Sequence, residues 1–177
     1  GKISLSEGGG LDTGLKYSGK FGAVEAKASI GYTNNEATSS TLPFALFGGI
    51  AVKHDSGISG SFGTGKEMRK SGSLLGSFGE SPAFRNWTLG YEAKLFAAGG
   101  TQFGLTHTKV QDGIILINHE DSESVVMGVS VQQKFDAVGL SMQLSYRNYA
   151  FDSTTNAGVA NTFDDIDVIS LQTVFAF

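Results

Sequence analysis

Apolar and polar residues alternate along most of this 177-residue chain. A period of two places successive side chains on opposite faces of an extended strand, whereas a helix would repeat every three to four positions. The clearest case is the C-terminal segment. There Ile169, Leu171, Thr173, Phe175 and Phe177 fall on one face, and Ser170, Gln172, Val174 and Ala176 on the other. Leu140, Met142, Leu144 and Tyr146 oppose Ser141, Gln143, Ser145 and Arg147 in the same way. Val125, Met127, Val129, Val131 and Phe135 oppose Gly128, Ser130, Gln132 and Lys134. Trp87, Leu89, Tyr91, Ala93 and Leu95 alternate with Thr88, Gly90, Glu92 and Lys94, as Val24, Ala26, Ala28, Ile30 and Tyr32 do with Glu25, Lys27, Ser29 and Gly31. Fainter alternation runs through residues 11–18, 44–54, 57–65 and 101–111. The pattern predicts about nine full strands, with residues 2–6 as the stub of one more. Each is close to the ten or so residues that a tilted strand needs to cross a bilayer.

The connections alternate in length. Short glycine-bearing turns are predicted at Ser18-Gly19-Lys20, Asp55-Ser56-Gly57, Ala97-Ala98-Gly99-Gly100 and Asp136-Ala137-Val138-Gly139, a composition suited to hairpins. Long polar connections are predicted over residues 33–42, 66–83, 112–123 and 152–164. Strict alternation puts all the short turns at one end of an antiparallel up-and-down sheet, the asymmetry of membrane barrels.

Composition narrows the classes. With no cysteine, a disulfide scaffold, a Cys-type zinc site and thiol catalysis are excluded. A net charge of −4 with singly spread Lys and Arg offers no stripe for nucleic acid. No apolar run is long enough for a transmembrane helix, but a spanning strand needs apolar residues only at alternate positions. No secretion signal opens the chain, so a mature or truncated form of a secreted protein is expected. A soluble β-sandwich or lipocalin would show the same alternation with its apolar stripe turned inward. Three features favour the membrane sense. The less apolar face is rich in Gly and Ser with isolated charges. Aromatics (Tyr17, Phe21, Tyr32, Phe44, Trp87, Phe96, Phe135, Tyr146, Tyr149, Phe177) gather near segment ends, where interfacial girdles belong. The sequence closes on an apolar strand.

Several stretches carry a family resemblance. They are Leu11-Asp12-Thr13-Gly14-Leu15-Lys16-Tyr17 followed by Gly-Lys-Phe-Gly, His54-Asp55-Ser56-Gly57, Tyr146-Arg147-Asn148-Tyr149, and Asp164-Asp165-Ile166-Asp167-Val168. In this order and spacing the chain resembles the C-terminal half of a Gram-negative general porin. Its last strand resembles the assembly signal of outer-membrane barrels, carried here by Phe175 and Phe177. The resemblance implies an all-β transmembrane barrel of sixteen antiparallel strands in a homotrimer, residues 1–177 forming a single domain that supplies nine or ten of them. It also implies residence in the bacterial outer membrane, contact with lipid and lipopolysaccharide, delivery by the barrel-assembly machinery, and passive diffusion of ions and small hydrophilic solutes without a cofactor or catalysis.

If the apolar faces meet lipid, the opposite faces place Asp12, Lys16, Glu25, Lys27, Lys53, Glu92, Lys94, Lys134 and Arg147 in the lumen. A Lys or Arg facing lipid near the midplane would cost about 2–4 kcal/mol. His107 and Lys109 fall on the apolar side and are expected at the rim. Small residues at the other lumen positions favour an open pore over two alternatives, a narrow plugged barrel with a structural or adhesion role and a hydrolase at the rim. Ser124, His107 and Asp121 form the only trio conceivable for that chemistry. The acidic run His119-Glu120-Asp121-Ser122-Glu123 is the best metal candidate, yet a solvated loop is the commoner meaning and no metal site is assigned. Gly60-Ser61-Phe62-Gly63-Thr64-Gly65-Lys66 nearly matches a phosphate-binding loop, but Glu67 stands where Ser or Thr should follow, and no helix pattern comes after it.

Overall fold

The computed structural model describes residues 2–5, 11–34, 44–68, 82–112, 119–155 and 157–175. The strands are β1 (Lys2–Leu5), β2 (Leu11–Phe21), β3 (Val24–Asn34), β4 (Phe44–His54), β5 (Ile58–Met68), β6 (Ala83–Phe96), β7 (Gly99–Gln111), β8 (His119–Phe135), β9 (Leu140–Thr155), β10 (Ala160–Thr162) and β11 (Ile166–Phe175). All belong to one antiparallel sheet in chain order. The strands β10 and β11 pair with successive parts of β9 and so share one position, giving ten positions in an up-and-down meander. The nine expected strands and the expected stub are all present.

The sheet of the described residues is open and does not close into a barrel. Strands β1 and β11 stand at the two edges and pair only with β2 and β9. Nor does a second layer of the described residues cover either face. Among the described residues no apolar side chain is buried. The sheet is held by its backbone ladders and by cross-strand pairs on each face, the unit of sheet stability. Tyr32 and Phe44 make one such aromatic contact, with ring centroids 5.9 Å apart.

Several boundaries differ from expectation. Residues 18–20 lie inside β2, and the turn falls at Gly22-Ala23. Gly22 has φ +57, a sign that glycine adopts at no steric cost in a two-residue hairpin turn. Gly19, the residue on which a turn is expected, is a strand residue, and the turn lies about three residues later. The turn after β6 is only Ala97-Ala98, with Gly99 opening β7. Strands β8 and β9 run well into the predicted long connections, reaching His119 and Thr155, where their polar residues continue the ladder. The short β10 lies in the last of those connections. The glycine-rich stretch 60–66 is wholly within β5, so it cannot wrap a phosphate as a loop does.

Register assigns each side chain to a face. One row, on the face expected to be apolar, runs Tyr17, Ala28, Ile50, Phe62, Trp87, His107, Met127, Asn148, Asp167. Charges enter this face only towards the long-connection end, at Lys66 in β5, Arg85 and Lys109 in β6 and β7, Glu123 and Asp152 in β8 and β9, and Asp167 in β11. Asp167 lies two rows closer to the turn end than Lys66 does. At the opposite end the apolar residues extend further in β8, β9 and β11, to Phe135, Leu140 and Phe175, than the row of Phe21 and Val24 in β2 and β3. The charge-free belt therefore crosses the strands obliquely.

Candidate functional site: the polar face of the sheet

The other face collects the charges singled out in the sequence. Asp12, Lys16, Glu25, Lys27, Lys53, Glu92, Lys134 and Arg147 all fall on it by register. Between them lie Gly14, Ser29, Gly49, Ser59, Ser61, Gly90, Gly104, Ser130 and Ser145, also as expected. Lys94 is different. It sits at the register shift between Ala93 and Phe96, where the ladder assigns it no partner.

Towards the turn end the charges form a network spanning β3 to β8. Lys27 Nζ is 2.8 Å from Glu25 Oε1. Glu92 bridges two strands, with Lys53 Nζ at 2.9 Å and Lys134 Nζ at 3.6 Å. Ser59 and Gly90 stand between Lys53 and Glu92 in the sheet, and their small size lets the two long side chains meet. Lys16 and Arg147 make no ion pair among the described residues. These are solvent-facing pairs, and Glu92 retains 33% exposure of its side chain. Glu92→Gln is therefore expected to change stability by less than about 1 kcal/mol while removing the carboxylate that Lys53 and Lys134 share. Urea unfolding of the lipid-refolded variant checks this, and a loss several times larger would mean the network is shut off from water.

Three features of this face were missed in the sequence. Lys20 belongs to it, opposite Glu25, and pairs with Asp55 at 3.0 Å; the misplaced turn had removed it from the strand. Glu92, Gln102, Gln132, Gln143 and Gln172 form one row across five strands, visible only once relative register is known. Phe47, Phe84 and Phe151 also face this side, towards the long-connection end, in a row with Gly31, Gly65, Val110 and Ser124. The rings of Phe47 and Phe84 lie over Gly31 and Gly65, where any Cβ would collide with them. Phe151 meets Phe163 at 5.2 Å. Tyr149, read as a girdle residue, also turns to the polar side, opposite Val126. Alternation gave no warning because β4 and β9 are apolar on both faces near that end.

On the apolar face His107 stacks on Trp87 at 5.5 Å, and Lys109 pairs with Glu123 at 2.7 Å. Trp87 thus sits inside β6 rather than at its end. The trio imagined for a hydrolase cannot converge. His107 lies opposite Met127, whereas Ser124 lies opposite Val110, three residues further along β7, so the two side chains leave the sheet on opposite faces. The acidic metal candidate lies on the first turns of the ladder in β8 rather than in a loop. The side chains of His119 and Glu120 are outside the described residues, and among the described ones no three acidic or imidazole groups gather to hold a metal. Phe175 sits on the apolar face opposite Leu140, while Phe177 lies outside the described residues.

Comparison with protein-family models, curated proteins and solved structures finds no match for this chain.

Proposed function

We propose that this chain is part of the wall of an outer-membrane porin, with its apolar face against lipid and its polar face lining a water-filled passage for ions and small hydrophilic solutes. One observation carries the reading. Among the described residues the chain folds as a single sheet with no buried apolar side chain, and many large ones are in the open, Ile169 at 75% and Leu15 at 64% exposure among them. Monomeric soluble proteins rarely leave contiguous apolar surface beyond a few hundred Å² uncovered, and burying it is the main force that stabilises a fold. Lipid would cover such a face without a second layer. The oblique charge-free belt supports this, because barrel strands cross the membrane tilted by about 35–45°.

In this reading both edges vanish by closure, as a hydrocarbon environment demands of every backbone N–H and C=O. Further strands would complete a barrel of the size the resembled family has, in a homotrimer delivered through its C-terminal strand. Closure of the ten positions on themselves is also consistent with antiparallel pairing, since β1 and β11 run in opposite directions. A second reading, a small plugged barrel with a structural role, draws on Phe47, Phe84 and Phe151, which give the polar face an apolar band that packing could use.

Reconstitution in a planar bilayer separates the two. A porin is expected to give large ohmic conductance steps, arriving in threes for a trimer. Clean insertion with no conductance would leave the plugged reading standing for this chain.

A further inference from the structure

We propose that the trough between Lys16 and Lys27 on the polar face is a station for small oxyanions such as inorganic phosphate; this rests on reading that face as the wall of a passage. The trough has a volume of about 380 Å³ and spans β2 to β6. Gly49, Ala51 and Gly63 line it, and their small side chains make the depression. Lys16, Lys27, Ser29 and Asn86 stand around them, and no carboxylate among the described residues lines the trough.

The charge pattern calls for an anion. Lys16 lies opposite Ser29 and Lys27 opposite Ser18, so the two lysines are diagonal neighbours on one face. Such neighbours are about 7–8 Å apart at Cα, within reach of each other's side chains. Glu25 partly offsets Lys27, but Lys16 has no partner among the described residues. At the far side Ser61 and Thr88 hydroxyls are 2.7 Å apart. One proton joins the two oxygens and the second is free to point outward. An oxyanion with several oxygens can accept from both ammonium groups and from a hydroxyl at once, which chloride, a single centre, does less well. Exposure to water keeps the attraction weak and salt-sensitive. That suits a conduction path, where a solute must bind strongly enough to enter and weakly enough to leave.

The test adds inorganic phosphate to the reconstituted protein in constant KCl and reads the concentration that halves the chloride current. Lys16→Gln is expected to raise it about fivefold, the worth of one close charge in water, and the Lys16→Gln, Lys27→Gln double variant further. Lys109→Gln, an equal charge change on the opposite face, is expected to leave it unaltered. Because Lys16 has no partner among the described residues, its variant is expected to fold, which circular dichroism checks. Parent-like phosphate block in the double variant, with conductance intact, would overturn the station and spare the pore. If neither the parent nor any variant conducts, the pore reading fails instead. The station is then decided by phosphorus-31 line broadening of phosphate with the folded protein in micelles. Broadening lost in the double variant supports it, and the absence of broadening in the parent overturns it.

Discussion

Ile50→Lys is expected to destabilise the protein in a bilayer by about 2–4 kcal/mol, the cost of a cation near the lipid midplane of a barrel wall. Ala51→Lys, one residue away on the polar face, is expected to cost at most about 1 kcal/mol, the repulsion of Lys27 directly opposite it. The contrast is informative because the bare sheet treats the two sites alike in one respect. Ile50 is 51% exposed and has no core to disrupt, so for a protein surrounded by water the new lysine would be nearly free. Only an apolar medium on that face makes it expensive. The penalty should also depend on depth. Thr13→Lys, near the end of β2 in the row with Lys66, is expected to cost at most about 1 kcal/mol. Urea titration of protein refolded into lipid vesicles reads all three. Equal stability for the position 50 and position 51 variants would sink the lipid-facing assignment, and with it the proposed lumen.

The reach of the sequence followed from what strands encode. Alternation is a local property, so Val125 to Phe135 and Leu140 to Arg147 could be assigned to strands and faces from their own residues. The charges at 16, 27, 53 and 134 were assigned to one face for the same reason. Turn position is also local, but it failed at Ser18–Lys20 because Gly19 is a strand residue there; the positive φ that demands glycine is at Gly22. Relative register is not local. The pairing of Lys53 with Glu92 across 39 positions, and the glutamine row through residues 92 to 172, depend on how five strands slide against one another. The same holds for edges. Alternation from Ile169 onward marks a last strand, but only the pairing shows that nothing lies beyond it among the described residues.

Gly57→Ala is expected to be among the most damaging single-methyl additions to the described sheet, and its contrast with Gly22→Ala isolates the reason. Both glycines follow a strand end in a short turn and both have positive φ. Gly22, at +57, lies in the left-handed region with open space around the missing Cβ. Alanine there should cost only the intrinsic left-handed penalty of about 1–2 kcal/mol. Gly57, at +93, lies outside that region, and a Cβ would drive into the backbone carbonyl of Glu92. Backbone atoms cannot swing aside as a side-chain tip can. Relief would have to come from the junction itself, where Glu92 N–H donates to Gly57 O at 2.9 Å and Gly57 N–H to His54 O at 2.9 Å. The expected cost is about 3 kcal/mol or more, since strain of this kind alone is worth about 1–3 kcal/mol and the collision adds to it. The damage should also reach the polar face. Shifting the Glu92 backbone withdraws its carboxylate from Lys53 and Lys134, so any fraction that folds should show a reversal potential displaced towards anions, while Gly22→Ala keeps the parent value. Refolding yield and reversal potential measured together settle the matter. If the Gly57 and Gly22 variants are equally stable and equally selective, the turn has room to yield, and Glu92 is not held in place by the backbone of the β4–β5 turn.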